Sequence, residues 1–268
     1  MTPKSLLSRD EAAWACPDCS RDVEPFEWAI DDDLTHFISR QYCTCAAGQA
    51  KQIAHTEALK HDEWQTAARQ IILPLDVGQY AGFRFSTWNH STKGGDPVAL
   101  AVEEYADNVE KTGHINWLYL SGGYGLGKTH LAVAALRKVA AKRLWQPHIV
   151  VWPELCDQTK ESWQDNKVSE ANLWAGVRAA QILLIDDLDK TATSQWAMSK
   201  LFSAINYRST RQKPTIITAN RSIKQLQSEW QHSKQEHVRD TGMAVLSRIV
   251  GQAWRLVEFN GQDQRWVR

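Results

Sequence analysis

The run Gly122-Gly123-Tyr124-Gly125-Leu126-Gly127-Lys128-Thr129 completes the pattern G-x-x-x-x-G-K-[ST] and restricts the architecture more than any other part of the chain. An apolar, strand-like stretch, Ile115 to Leu120, feeds it, and Leu131 to Leu144 follows as an Ala-rich helical pattern without Gly or Pro. Strand, glycine loop and helix in that order form a cradle for phosphate. Glycines let the backbone bend round phosphate oxygens, so that successive N–H groups and the helix N-terminus face negative charge. In such a loop the lysine, Lys128, reaches the β- and γ-phosphates, and the hydroxyl of Thr129 ligates Mg²⁺. The residues from Gly122 through Thr129, with His130 beside them, are the expected contacts to the nucleotide. The loop specifies a nucleoside triphosphate, not the machine that uses it.

Further strand-like segments recur at His148 to Trp152, Ile182 to Ile185, Thr215 to Ala219 and Arg255 to Phe259, with helical patterns between them. This alternation predicts an α/β fold, a parallel five-stranded sheet covered by helices on both faces, with the phosphate site at the carboxyl ends of the strands. The segment Ile182-Leu183-Leu184-Ile185 ends in Asp186-Asp187. In NTPases with this loop a buried strand delivers one acid that holds Mg²⁺ and a second that activates the attacking water, which assigns Asp186 and Asp187 in that order. Alone, the same run reads equally well as a core strand leaving into a solvated turn. The strand Thr215 to Ala219 ends in Asn220, an amide able to orient water near the γ-phosphate, although its immediate neighbours also suit an ordinary turn asparagine.

Cysteine usage marks a second region. Of the five cysteines, four fall early, as Cys16-Pro17-Asp18-Cys19 and Cys43-Thr44-Cys45. Two close pairs suit Zn²⁺ held tetrahedrally by thiolates, which would fold a segment too short for a core of its own; a redox pair or unconnected thiols are the alternative. His36 and His55 are substitute ligands by position, and Cys156 reads as a small buried apolar residue. The expected organisation is a four-cysteine zinc module over 1–48, a helical linker over 49–75 whose helix runs from Ala46 to Ile72, and the nucleotide-binding domain over 76–268. Asp96-Pro97 is a helix start and predicts a helix over Val98 to Lys111.

Charge excludes little. Lys plus Arg and Asp plus Glu balance at 31 each, so a nucleic-acid surface has to be local. Arg137, Lys138, Lys142 and Arg143 form one basic cluster, readable either as such a surface or as a solvated helix face. The 13 tryptophans read as core and interface filling. With no long apolar run and no secretory pattern at the N-terminus, the expectation is a cytoplasmic protein that makes no membrane contact.

Taken together, Gly125-Leu126-Gly127-Lys128-Thr129-His130-Leu131-Ala132, Ile185-Asp186-Asp187-Leu188, Asn206-Tyr207-Arg208 and Pro214-Thr215-Ile216-Ile217-Thr218-Ala219-Asn220 resemble the AAA+ ATPases of the DnaC/DnaI helicase-loader and IstB transposition-helper group. The resemblance covers Tyr80 to Arg265. It implies that Asn220 is the sensor-1 residue and that Arg248, in Ser247-Arg248, is an arginine finger offered to a neighbouring subunit, so that hydrolysis needs a self-oligomer. Local sequence alone makes Arg248 a surface cation. The resemblance further implies a partner, either a replicative hexameric DNA helicase loaded onto single-stranded DNA or a transposase served on duplex DNA. A third reading is a nucleotide-switched DNA-binding module with little hydrolysis. The early cysteines favour the helicase loader, since the nucleotide site does not itself require them. Two positions depart from the group: Asp187 stands where most AAA+ proteins have glutamate, and Asp189 replaces the glycine after Asp-Asp-Leu. With few residues after Phe259, the expectation is a fold without a C-terminal helical lid domain, and Arg265, in Gly261-Gln262-Asp263-Gln264-Arg265, resembles the group's terminal G-x-x-x-R element.

Overall fold

The chain is described from a computed structural model over residues 14–23, 26–29, 36–39, 42–76, 78–88, 95–109, 117–163, 169–190 and 194–261. It divides between Thr66 and Ala67 into two compact units. Arg265 and the side chain of His36 lie outside the described residues.

The first unit contains two antiparallel pairs, β1 (Trp14–Ala15) with β2 (Asp22–Val23) and β3 (Phe26–Ala29) with β4 (His36–Ser39). Helix α1 spans Ala46–Ile72, the interval expected from its lack of Gly and Pro after Gly48. Strands this short cannot bury a core unaided. The small cluster that exists gathers around Cys16, Val23, Cys43 and Cys45.

The second unit is the expected α/β layer structure. Its helices are α2 (Gly95–Asn108), α3 (Lys128–Arg143), α4 (Trp152–Glu161), α5 (Glu170–Ala179), α6 (Gln195–Thr210), α7 (Ile223–Gln231) and α8 (Glu236–Gln252). Its strands are β5 (Trp117–Gly122), β6 (Pro147–Val151), β7 (Ile182–Asp186), β8 (Thr215–Ala219) and β9 (Ala253–Phe259), paired in parallel in the order β6-β7-β8-β5-β9. Helix α2 begins earlier than Val98, because Gly95 and Asp96 already join its first turn. Strand β6 ends before Trp152, since Pro153 sits in the first turn of α4 and turns the chain.

Alternation along the central strands builds two cores. Trp117, Tyr119, Leu183, Ile185 and Ile217 face one layer, with α4 to α8. Leu118, Leu120, Ile182, Leu184 and Ile216 face the other, with α2 and α3. Helix α3 is buried almost all round, from Leu131 through Ala140, and its alanines allow a close approach to the sheet. The chain leaves β5 through α3 on one face and leaves β8 through α7 and α8 on the other. The carboxyl ends of β5, β7 and β8 therefore open together, the place where doubly wound sheets bind ligands.

Arg208 explains part of the Asn206-Tyr207-Arg208 signature. Its side chain is 0% exposed and donates to Thr215 Oγ1 (2.8 Å) and to the carbonyls of Val177 (3.0 Å), Ala180 (3.1 Å) and Pro214 (2.6 Å). It ties the end of α5 to the start of β8, and burial pushes its pKa down to about 10. Its work is structural and lies at the amino ends of the strands.

Candidate functional site: a phosphate cradle and a four-cysteine cluster

The loop between β5 and α3 is shaped by two close approaches. Gly122 has φ 141° and Gly127 has φ 82°, conformations that side chains rarely adopt. A Cβ on Gly122 would meet the carbonyl of Phe259, and one on Gly127 would meet the indole of Trp88. Lys128 is buried at the first turn of α3 and donates to Gly122 O (2.9 Å), Gly123 O (2.7 Å) and Asn220 Oδ1 (3.2 Å). Burial holds its pKa below the ordinary lysine value. Its ammonium thus rests on carbonyl oxygens at the spot where the backbone N–H groups of α3 converge.

Strands β7 and β8 bring the acids to the same place. Asp186 is buried and accepts from Thr129 Oγ1 (3.0 Å) and from Thr218 Oγ1. Desolvation raises its pKa while those two hydroxyls oppose the rise. Asp187 sits at φ 57°, donates its backbone N–H to Thr218 Oγ1 (3.0 Å) and pairs through Oδ2 with Lys190 Nζ (2.6 Å). Lys190 also lies 5.4 Å above the ring of Tyr124, which is 59% exposed. Phe83, Tyr124, Gly125, Leu126, Gly127, Lys128, Thr129, His130, Asp187, Lys190 and Asn220 line one cleft of about 370 Å³.

The structure thus brings together every residue of the expected nucleotide set except Arg248, which is held elsewhere. On α8, Arg248 donates to Asn206 Oδ1 (2.9 Å) and Ala244 O (3.0 Å), with its guanidinium 4.6 Å from the Phe202 ring centroid. His130 lines the cleft, but its ring stacks on Phe83 (4.8 Å) and meets Trp88 edge-on (5.3 Å). Its Nε2 lies 2.9 Å from Arg84 O, which makes that nitrogen the N–H donor. His130 accordingly clamps the segment 78–88 over the loop. The basic cluster on α3 is partly internal: Arg137 is buried on Asp76 (2.6 Å) and the Leu75 and Tyr80 carbonyls, and Lys138 pairs with Glu103 (2.9 Å) and Asp107 (3.0 Å). Sequence reasoning missed Thr218 and Lys190, and it marked Asp189 only as a departure from the group's glycine. Thr218 shares its strand with Thr215 and meets Asp186 only through strand adjacency, so the linear sequence carried no signal for it.

In the other unit the sulfurs of Cys16, Cys19, Cys43 and Cys45 lie within 4.8 Å of one another, with Cys16 to Cys45 at 3.9 Å and Cys19 to Cys43 at 3.5 Å. Four sulfurs at about 2.3 Å from one zinc stand about 3.8 Å apart, so this donor set fits a tetrahedral ion. All four cysteines are free thiols. The Arg21 backbone N–H, helped by its guanidinium, pulls the Cys19 thiol down to about 6. Gly48 N–H donates to Cys45 Sγ (3.3 Å), and Gly48 lies so close to the Cys43 carbonyl that a side chain has no room there. His55 rests against Tyr42 and is outside the four-sulfur group. Among the described residues, no helix is long and apolar enough to cross a membrane.

A family model, the bacterial DnaA ATPase domain, matches residues 87–242. The replicative helicase loader DnaI of Bacillus subtilis is 26% identical over 176 residues, covering 63% of this chain and 55% of that protein, so the chain spans little more than half of that relative. The B. subtilis protein YqaM is 31% identical over 253 residues, 83% of this chain and 79% of its own length. The crystal structure of the DnaC helicase loader superposes with a TM-score of 0.55 at 24% identity, over 69% of this chain and 100% of that one, a likeness of fold. The chain belongs to the bacterial DnaA ATPase-domain family, as an AAA+ P-loop nucleotide-binding protein that is similar to DnaI in sequence and to DnaC in fold.

Proposed function

We propose that this protein is an ATP-dependent loader of a replicative hexameric DNA helicase. The observation that carries the reading is the pairing, in one chain, of a complete phosphate cradle with a separate four-cysteine unit that the nucleotide chemistry does not use. The relative DnaI is a replicative helicase loader, which supports the choice of partner. In this reading the module over 1–48 holds zinc and binds the helicase, 49–75 links it, and the domain over 76–268 binds ATP and single-stranded DNA.

Each residue then has a physical task. Lys128 exchanges its loop carbonyls for the β- and γ-phosphates, which the N-terminal amides of α3 also face. Thr129 and Asp186 would hold Mg²⁺, which neutralises phosphate charge when bound. Asp187 takes the proton of the attacking water once its ion pair with Lys190 opens, and Asn220 orients that water. The Lys190 pair makes slow basal turnover the expected behaviour.

Asp187→Asn is expected to keep ATP binding and to lower turnover by about 10²-fold or more, the usual worth of a positioned base. The same variant held in ATP should retain purified replicative helicase on a resin. Unchanged turnover would move the base elsewhere, and absence of helicase binding would remove the loader reading. For the cysteine unit, elemental analysis should find one zinc per chain, lost in Cys16→Ser/Cys19→Ser together with helicase retention. A metal-free, normally folded protein would dispose of the zinc assignment.

A further inference from the structure

Asp189 stands where the group has glycine, and its side chain is 1% exposed. A carboxylate that deep must be compensated. It accepts the backbone N–H of Asn220 through Oδ1 (2.9 Å) and that of Arg221 through Oδ2 (2.9 Å). The Arg221 guanidinium lies 3.6 Å from Oδ2 and is itself held 2.9 Å from Glu229. These two amides are the first beyond the end of β8, where the sheet ladder no longer supplies acceptors.

We propose that Asp189 is a positioning residue for the Asn220 side chain. The proposal rests on the assignment of Asn220 as the water-orienting amide. The turn Leu188–Lys190 is fastened to β8 at two points, upstream by Asp187 N–H on Thr218 Oγ1 and downstream by the Asp189 carboxylate on Asn220 N–H. Between them the buried Leu188 anchors the turn in the core. The acid that activates water and the amide that orients it are therefore carried on one braced frame. Asn220 Oδ1 in turn meets Lys128 Nζ, so the frame also fixes the amide relative to the phosphate-binding lysine. A glycine at position 189 would leave both amides without this acceptor and the amide side chain free to drift, and small misplacements of catalytic groups cost rate far more than affinity.

The test is a double-mutant cycle on the full-length protein, with ATP turnover and ATP affinity both measured and thermal melts as a folding control. Asp189→Asn preserves the shape and one acceptor, and Asp189→Gly removes the brace. Each is expected to lower turnover about tenfold while leaving affinity unchanged. In an Asn220→Ala background the same changes should have no further effect, because the interaction acts through a side chain already gone. Amide hydrogen exchange at Asn220 and Arg221 should quicken in both single variants. Full additivity with Asn220→Ala, an equal loss of affinity, or unchanged exchange overturns the proposal while the Asn220 assignment stands. A silent Asn220→Ala overturns the assignment and this route through it. Should Asp189→Gly fail to fold, Asp189→Asn, judged by the same non-additivity and exchange, decides alone.

Discussion

Lys128→Ala is expected to abolish ATP binding. The side chain is buried and its ammonium is satisfied by three oxygens, two of them carbonyls of the loop itself. These partners are weaker than a phosphate, because a carbonyl carries a partial charge and a phosphate oxygen nearly a full one. When a triphosphate enters, the lysine trades them for charge-assisted bonds. Burial depresses its pKa in the free protein, and the phosphate charges arriving beside it reverse that tendency. Alanine removes the cation and frees the Gly122 and Gly123 carbonyls to face the phosphates, which turns attraction into repulsion. The loss of one charged hydrogen-bonding group is worth about 3 kcal/mol, roughly 10²-fold in affinity, before that repulsion is added. Titration calorimetry with ATP and Mg²⁺ checks it, with the melting curve as control. Retained binding would remove the nucleotide function from this cleft.

The same residues show what a sequence discloses and what it withholds. The cradle was legible because its information is local: Gly122 to Thr129 are consecutive, and strand β5 and helix α3 flank them with the right periodicities. Asp186 was legible for the same reason, as the last residue of an apolar strand. What was not legible depends on which strands become neighbours. Thr218 reaches Asp186 only because β7 and β8 are adjacent in the sheet, although the chain passes through α6 between them. Asp189 registered as a departure from a pattern, and its two amide partners come from the far end of β8. The α3 cations Arg137 and Lys138 looked like a surface patch because the linear sequence does not show Asp76, Glu103 and Asp107 folding back onto them. The cysteines were legible as two pairs, but only the fold brings their sulfurs within 4.8 Å of one another.

Arg248→Ala is expected to lower turnover by about 10³-fold or more while ATP binding at each site is preserved, the magnitude associated with removing an arginine finger. In the proposed reading Arg248 acts on a neighbouring subunit and not in its own chain's cleft. Arg248 does not line the cleft that holds Lys128, Asp187 and Asn220, and its guanidinium is fixed by Asn206, by a carbonyl one turn back on α8 and by the face of Phe202. Those contacts use Nε and Nη1, so the guanidinium is oriented before any partner arrives, and a preoriented charge costs little to bring against a γ-phosphate. If Arg248 only fastened α8 to α6, alanine would lower stability and no second protein could repair it. If it is a finger, a defective finger and a defective site are complementary defects. Mixing Arg248→Ala with Asp187→Asn should then restore turnover, since an intact Asp187 in one subunit meets an intact Arg248 from the next. Recovery should rise with total protein concentration and reach its maximum near equal proportions. A mixture no more active than its two components, or an Arg248→Ala protein that turns over normally, would return Arg248 to the role of a helix fastener and leave hydrolysis to single chains.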